Sequence, residues 1–243
     1  MNMRSLVLKT MCLYILCTVV FPSKSHLTAD TMSAQGSPTE IGTAMSFAEG
    51  GTSYGFGIGR KLASSVGFGA YYTLIVPKGS DNVKLHSFGG ALKVTLLTTK
   101  QKLPIDLSVI GSAYYMVAAG LPVDNWKRGQ TYIIGPSFER FIPLGGKIAI
   151  AATISPLWMY SRSESSIYGS GHQEEDATIN IWSIGFSIMI RDVLSLTPNM
   201  AIGKDFTTPG FSVVVLNSVS LGTSLAICDD TTTPSFSLGL IIK

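Results

Sequence analysis

Residues 147–160 read Lys-Ile-Ala-Ile-Ala-Ala-Thr-Ile-Ser-Pro-Leu-Trp-Met-Tyr, and residues 179–190 read Ile-Asn-Ile-Trp-Ser-Ile-Gly-Phe-Ser-Ile-Met-Ile. In the first stretch Ile148, Ile150, Ala152, Ile154, Trp158 and Tyr160 alternate with Ala149, Ala151, Thr153 and Ser155. In the second, Trp182, Ile184, Phe186, Ile188 and Ile190 alternate with Ser183, Gly185 and Ser187. A period of two places alternate residues on opposite faces of a β-strand. The two faces differ in kind: one is bulky and apolar, the other is Gly, Ser, Ala and Thr. A soluble β-sandwich would carry charge on its outer face and bulky Val, Ile and Leu inside. Residues as small as Gly and Ser cannot fill a core to native density. The pattern fits a sheet whose apolar face meets lipid and whose small-residue face encloses a lumen.

Outward from these two stretches the same alternation covers the chain. Tyr54, Phe56 and Ile58 oppose Gly55, Gly57 and Gly59, and Phe236, Leu238, Leu240 and Ile242 oppose Ser235, Ser237 and Gly239. The alternation predicts strands over about 39–48, 53–62, 66–77, 84–97, 103–117, 130–142, 147–161, 178–190, 193–203, 210–216, 219–227 and 234–243. The last four segments are the least distinct, and 210–227 also reads as one continuous strand, so the range is eight to twelve strands. Segments this long satisfy the 9–11 residues, roughly, that a tilted strand needs to cross a bilayer. The connections alternate too. Short ones (61–65, 99–102, 144–146, 191–192, 217–218) interleave with longer, more polar ones (77–82, 120–130, 161–176, 204–209, 229–234). Short turns on one side and long loops on the other characterise transmembrane barrels, and an even strand number puts both termini on the short-turn side. Tyr72, Tyr115, Tyr132, Trp158, Tyr160 and Trp182 fall near segment ends, where aromatic girdles sit.

Charged residues make up 14% of the 243-residue chain, against roughly 25% in soluble domains. With hydrophobic residues at 46%, the chain is not of the disordered class. No Lys/Arg run exceeds two residues, which argues against nucleic acid as a partner. Arg4 and Lys9 precede a twelve-residue apolar run, Thr10–Phe21, broken by Pro22. Small residues follow at Ser23 and Ser25, with Ala29 as a second cleavage point. This is the tripartite pattern of a secretory signal peptide, expected over 1–25, and the run is short for a transmembrane helix of about 20 residues. Its removal takes Lys+Arg from 18 to 15 and leaves Asp+Glu at 15, so the mature chain is near neutral. Cys12 and Cys17 leave with it. Cys228 alone remains, so no internal disulfide is expected.

In this alternation over the whole mature chain the sequence resembles bacterial outer-membrane β-barrel proteins of the meander type. The ending Ser237-Leu238-Gly239-Leu240-Ile241-Ile242-Lys243 resembles the C-terminal assembly signal of such barrels, with Lys243 where they carry an aromatic residue. The resemblance implies an all-β, single antiparallel transmembrane barrel of about twelve strands in the cell outer membrane, with membrane lipid as its surroundings. The organisation expected is a signal peptide over 1–25, a short tail or plug over 26–38, and the barrel over 39–243.

Chemistry is sparse. A lipid-cleaving barrel enzyme would carry a His and a Ser two residues apart on one outward face. His86 has Phe88 at that spacing, and His172 has Glu174. Gly55, Gly57 and Gly59 precede no helix, so a phosphate-binding loop fails its context. His172, Glu174, Glu175 and Asp176 lack the ligand spacing of a calcium loop and read as a solvated acidic loop tip. No metal or other cofactor is expected. The charges that stand out are Lys93, Asp106 and Glu139, which fall on the small-residue faces of three successive segments. Charge is costly against lipid, so an inward cluster is expected, either as a functional site or as an ion pair bracing the wall. The expected function is non-enzymatic: a passive channel or transporter for a small polar solute, or alternatively a surface protein whose loops 120–130 and 161–176 bind a partner.

Overall fold

Twelve antiparallel strands carry the alternation: β1 (Thr39–Ala48), β2 (Gly51–Ala63), β3 (Val66–Pro77), β4 (Lys84–Leu97), β5 (Asp106–Ala119), β6 (Trp126–Gly145), β7 (Ile148–Ile167), β8 (Gly171–Ile190), β9 (Leu194–Ile202), β10 (Phe206–Val215), β11 (Val219–Cys228) and β12 (Thr231–Ile242). This computed structural model describes residues 39–242 apart from 49–50, 64, 80–81, 99–103, 122–125, 168–170, 191–192, 217 and 229–230. The expected signal peptide (1–25) and tail or plug (26–38) lie outside the described residues. Each strand pairs with its sequence neighbours, and β1 pairs with β12 to close the sheet. Closure removes every edge within the bilayer, where an unpaired backbone group has no water to turn to.

The register defines the barrel's shape. Asp106 faces Glu139, then Thr153, Gly185, Asn199, Gly210, Ser224, Ser235, Ser46, Ser53, Ile75, Leu85 and finally Ala118, twelve residues further along the strand where the walk began. Successive strands are therefore offset by about one residue each. Such stagger goes with a strand tilt of roughly 35–45°. With strands about 4.8 Å apart, facing backbones stand roughly 23 Å apart.

The two faces separate as the residue types demand. Phe56, Phe88, Leu92, Ile134, Trp158, Trp182, Phe236 and Leu240 are about half exposed and form an apolar outer belt. Their neighbours Gly57, Ser87, Met159, Ser183 and Ser235 point inward. Belt, closure and topology together are those of an outer-membrane barrel. Tyr72, Tyr115, Tyr132, Trp158, Tyr160 and Trp182 gather at the long-connection end, where Tyr132 stacks on Tyr160 with ring centroids 6.5 Å apart. The tight turn from β6 to β7 is built on Gly145 and Gly146, whose φ values of 105° and 59° are open to glycine. Bulges at Lys61/Ala63, Thr95/Leu97 and Pro143/Gly145 all lie near the short-turn rim, where barrels commonly bend their strands.

One expectation needs correction. Residues 161–176 are expected to form a long polar loop, but 161–167 and 171–176 are strand. Ser161 faces Ala177, and the ladder continues to Ile167 opposite Gly171. Likewise β6 begins at Trp126 rather than 130. Hydropathy alternation ends where the hairpin leaves the bilayer, while the hydrogen-bonded register continues. Charge pairing replaces apolar patterning there: Arg128 donates to Glu164, Arg162 Nε lies 3.1 Å from Glu164 Oε1, and Arg162 Nη2 lies 2.8 Å from Glu174 Oε1.

Candidate functional site: the lumen

Inward residues sort by height. Allowing for the one-residue offset per strand, Glu40, Lys61, Lys93, Asp106 and Glu139 share a band at the short-turn end. Lys93 Nζ lies 3.5 Å from Glu139 Oε2, and the two side chains are 11% and 6% exposed. Asp106 is the direct cross-strand partner of Glu139. The register sets Ile110, not Asp106, opposite Lys93, so the lysine reaches over β5 to Glu139. On the lumen face Glu139 thus has Lys93 3.5 Å away and Asp106 as its cross-strand partner. Arg140, one residue on, is exposed on the outer face.

Two charges of the same band went unnoticed in the sequence. Lys61 falls where the expected strand (53–62) and the expected turn (61–65) overlap, and β2 runs through it to Ala63; its charge acts on Glu139 through space. Glu40 is buried, and its Oε1 accepts from Ser220 Oγ at 2.7 Å. The signal for Glu40 was available: it shares the face of Gly42 and Ala44 in an alternating segment.

Higher in the lumen, toward the long connections, the wall turns apolar. Tyr114, Ile133, Leu157, Met159, Ile181, Ala201, Phe206, Ala226 and Cys228 form one contiguous cluster from β5 round to β11, with Tyr71 packed against it. This apolar collar does not stand out in the sequence, because each strand contributes only one or two of its members, some of them as small as Ala201 and Ala226. Elsewhere on the lumen wall hydroxyls pair across strands: Ser155 to Ser137 at 2.8 Å, Ser187 with Thr197 at 2.9 Å and Ser46 to Ser235 at 3.1 Å. A polar group on a wall needs such a partner or water.

The opposite side of the lumen stays open. A cavity of about 120 Å³ follows the wall built from β1–β4 and β10–β12. At roughly 10–15 Å³ per water, it holds about ten. Its wall is glycine and serine along much of its length, from Gly59 and Gly239 to Ser224 and Ser235, with Lys61, Lys93 and Glu40 at the short-turn end. Tyr71, the large ring along this wall, occupies the space that side chains on Gly57 and Gly69 would need. The glycines thus let the ring lie along the wall, which leaves the cavity clear.

His86 stands apart from this cavity. It is on the outer face, where its Nδ1 lies 2.8 Å from the Tyr72 hydroxyl. Among the described residues no three His, Cys, Asp or Glu side chains are grouped to hold a metal ion.

No protein-family model and no curated protein matches the chain. Solved structures of similar fold do. A porin, KdgM, in complex with disordered oligogalacturonate superposes with a TM-score of 0.53 at 6% identity, covering 84% of this chain and 99% of that one. The translocator domain of the autotransporter NalP from Neisseria meningitidis gives 0.52 at 12% identity over 94% and 99% of the two chains. LpxR from Salmonella typhimurium gives 0.53 at 7% over 83% and 99%. These similarities show the fold of bacterial outer-membrane barrels. A porin and a translocator share it, so what this chain does has to be argued from its lumen.

Proposed function

We propose that this outer-membrane barrel is a non-enzymatic, passive channel for small polar solutes. One observation carries the reading: the cavity along the glycine–serine wall, which begins among lumen charges and extends up to the level of the apolar collar, on the side of the lumen that the collar leaves open. Twelve strands leave room for it. That a porin of the same fold is seen with oligogalacturonate supports the reading.

The experiment is single-channel recording of the purified protein in planar bilayers, with Gly59→Phe as the test variant. A side chain at Gly59 would start in the cavity wall with only the Phe68 carbonyl near, at 3.8 Å. A benzyl group there extends into open space. Wild type gives discrete conductance steps; Gly59→Phe inserts equally well and its steps shrink by half or more. Steps that are the same in both proteins would remove this wall as the path.

A second reading has its own support. The collar side chains Met159 and Ile181 are 0% and 1% exposed, unlike residues facing a wide wet pore. The β6–β8 sheet also projects beyond the other strands. Stable insertion of the wild type without any conductance favours a surface protein anchored by a filled barrel.

A further inference from the structure

The sheet that projects at the long-connection end has an open side. β8 pairs with β7 along its whole length, from Ile190 opposite Ile148 to Gly171 opposite Ile167, with no shift of register. Its pairing with β9 begins only at Trp182, opposite Ile202, where β9 ends. Residues 171–181 therefore have one neighbouring strand instead of two, and among the described residues no backbone group outside the ladders bonds to them. At about 3.3 Å per residue this edge is roughly 36 Å long. An open edge is a template for another strand, and proteins commonly blunt one with proline, lysine or a bulge. None of these occurs in 171–181. What stands there is acid: Glu174 and Asp176, exposed on the outer face, and Glu175 on the other face. The cations of the projecting sheet, Lys127, Arg128 and Arg162, all lie on β6 and β7, behind the edge. Arg162 Nη2 holds Glu174 Oε1 at 2.8 Å from that side, and Glu175 acts on Lys127 through space across β7.

From this geometry we infer that the open edge of β8 is a docking site for another protein, which adds a strand to it, and that the docking segment is basic. Strand addition satisfies the row of backbone donors and acceptors that the missing neighbour leaves open, and side chains at alternate positions set the choice of partner. A segment with Lys or Arg at every second position meets Glu174 and Asp176 on the outer face of the sheet. A second copy of this chain is the wrong occupant. Two such edges laid antiparallel over 171–181 set Asp176 opposite Asp176, with Glu174 and Glu175 of both copies close by, and like charges directly opposite are destabilising. The acids thus keep copies of the chain apart and fix the sign of the partner. The edge stands beyond the apolar belt, so docking there does not depend on conduction through the lumen.

The test uses the full chain in detergent micelles and three short synthetic peptides. One alternates Lys and Thr, and one alternates Glu and Thr. The third is the Lys–Thr peptide with every backbone amide N-methylated, which keeps its charge and removes its donors. Fluorescence anisotropy reads affinity, and hydrogen exchange reads where the peptide lies. The Lys–Thr peptide binds wild type and slows exchange over 171–181, while amides over 149–159 in the belt are unchanged. The Glu–Thr peptide does not bind, and the N-methylated one binds at least about tenfold more weakly. A triple variant, Glu174→Gln/Glu175→Gln/Asp176→Asn, keeps the compact gel mobility of the wild type. It binds the Lys–Thr peptide about tenfold more weakly, since each cross-strand ion pair is worth up to about fivefold. Equal binding of the N-methylated peptide would leave charge attraction alone and overturn strand addition. The site is overturned if 171–181 exchanges no more slowly with the Lys–Thr peptide at millimolar concentration, or if the triple variant binds it as tightly as wild type. Wild type that sediments as a dimer with 171–181 already protected would give the edge to a second copy and overturn the basic partner.

Discussion

Leu92 and Ala91 are one bond apart and belong to different solvents. Leu92 is 47% exposed on the outer belt, while Ala91 lines the cavity. Leu92 sits near the middle of the belt, paired with Phe68 and Gly111. Arginine at such a position on the lipid face costs about 2–4 kcal/mol. At Ala91 the same side chain can lie along the cavity with its guanidinium in water. Leu92→Arg should therefore lower unfolding stability in lipid vesicles by that amount, and Ala91→Arg by about 1 kcal/mol or less. Equal losses from urea titrations of the two variants would mean that the faces have been assigned wrongly. The faces were legible from the sequence at this scale, because apolar and small residues alternate without interruption. Lys93, Asp106 and Glu139 were legible for the same reason: in a chain so poor in charge, a charge on the small-residue face stands out. Glu40 and Lys61 obeyed the same rule but lay at segment ends, where the strand boundary was uncertain by the length that mattered.

The hairpin of β7 and β8 shows where alternation stops being informative. Inside the bilayer a strand is recognisable because lipid and lumen demand different residues. Beyond the belt both faces meet water, and Ser161, Arg162, Ser163 and Glu164 look like a loop. The ladder nevertheless continues, with Arg162 between Glu164 and Glu174 and Arg128 on Glu164. Exposed cross-strand ion pairs contribute roughly 0.2–1 kcal/mol each and are screened by salt. Arg162→Glu would set three acids side by side. Its expected consequence is local: amides over 162–167 and 171–175 exchange about three- to tenfold faster, in line with the loss of one or two such pairs. Amides over 149–159, within the belt, keep their protection. Raising the salt to about 1 M, where the Debye length is near 3 Å, should speed exchange over 162–167 and 171–175 in the wild type as well. Hydrogen exchange with mass spectrometry reads both. Faster exchange spreading into the belt would mean that the projecting sheet and the barrel unfold as one unit.

At the scale of the whole molecule, everything depends on the seam between the first and last strands. Eleven of the twelve pairings join sequence neighbours and form locally, as hairpins do. Only β1 with β12 closes a loop of nearly the whole chain, and the cost of closing a loop grows with its length. Until the seam forms, two unpaired edges face lipid. The register at the seam sets Thr43 opposite Leu238, both on the outer face, and Ala44 opposite Ser237 on the lumen face. A shift of one residue would turn every side chain of β1 to the wrong solvent. In a Cys228→Ser background, cysteines at 43 and 238 should therefore crosslink under mild oxidation, whereas cysteines at 43 and 237 should not, because those side chains point to opposite faces. A crosslink across so long a loop strongly restricts the unfolded chain. The 43–238 protein should keep its compact gel mobility in detergent at temperatures that open the reduced form. Crosslinking at 43–237 in place of 43–238 would place the seam one residue out of register. The face assignment around that seam, and with it the glycine–serine wall that lines the cavity, would then have to be redrawn.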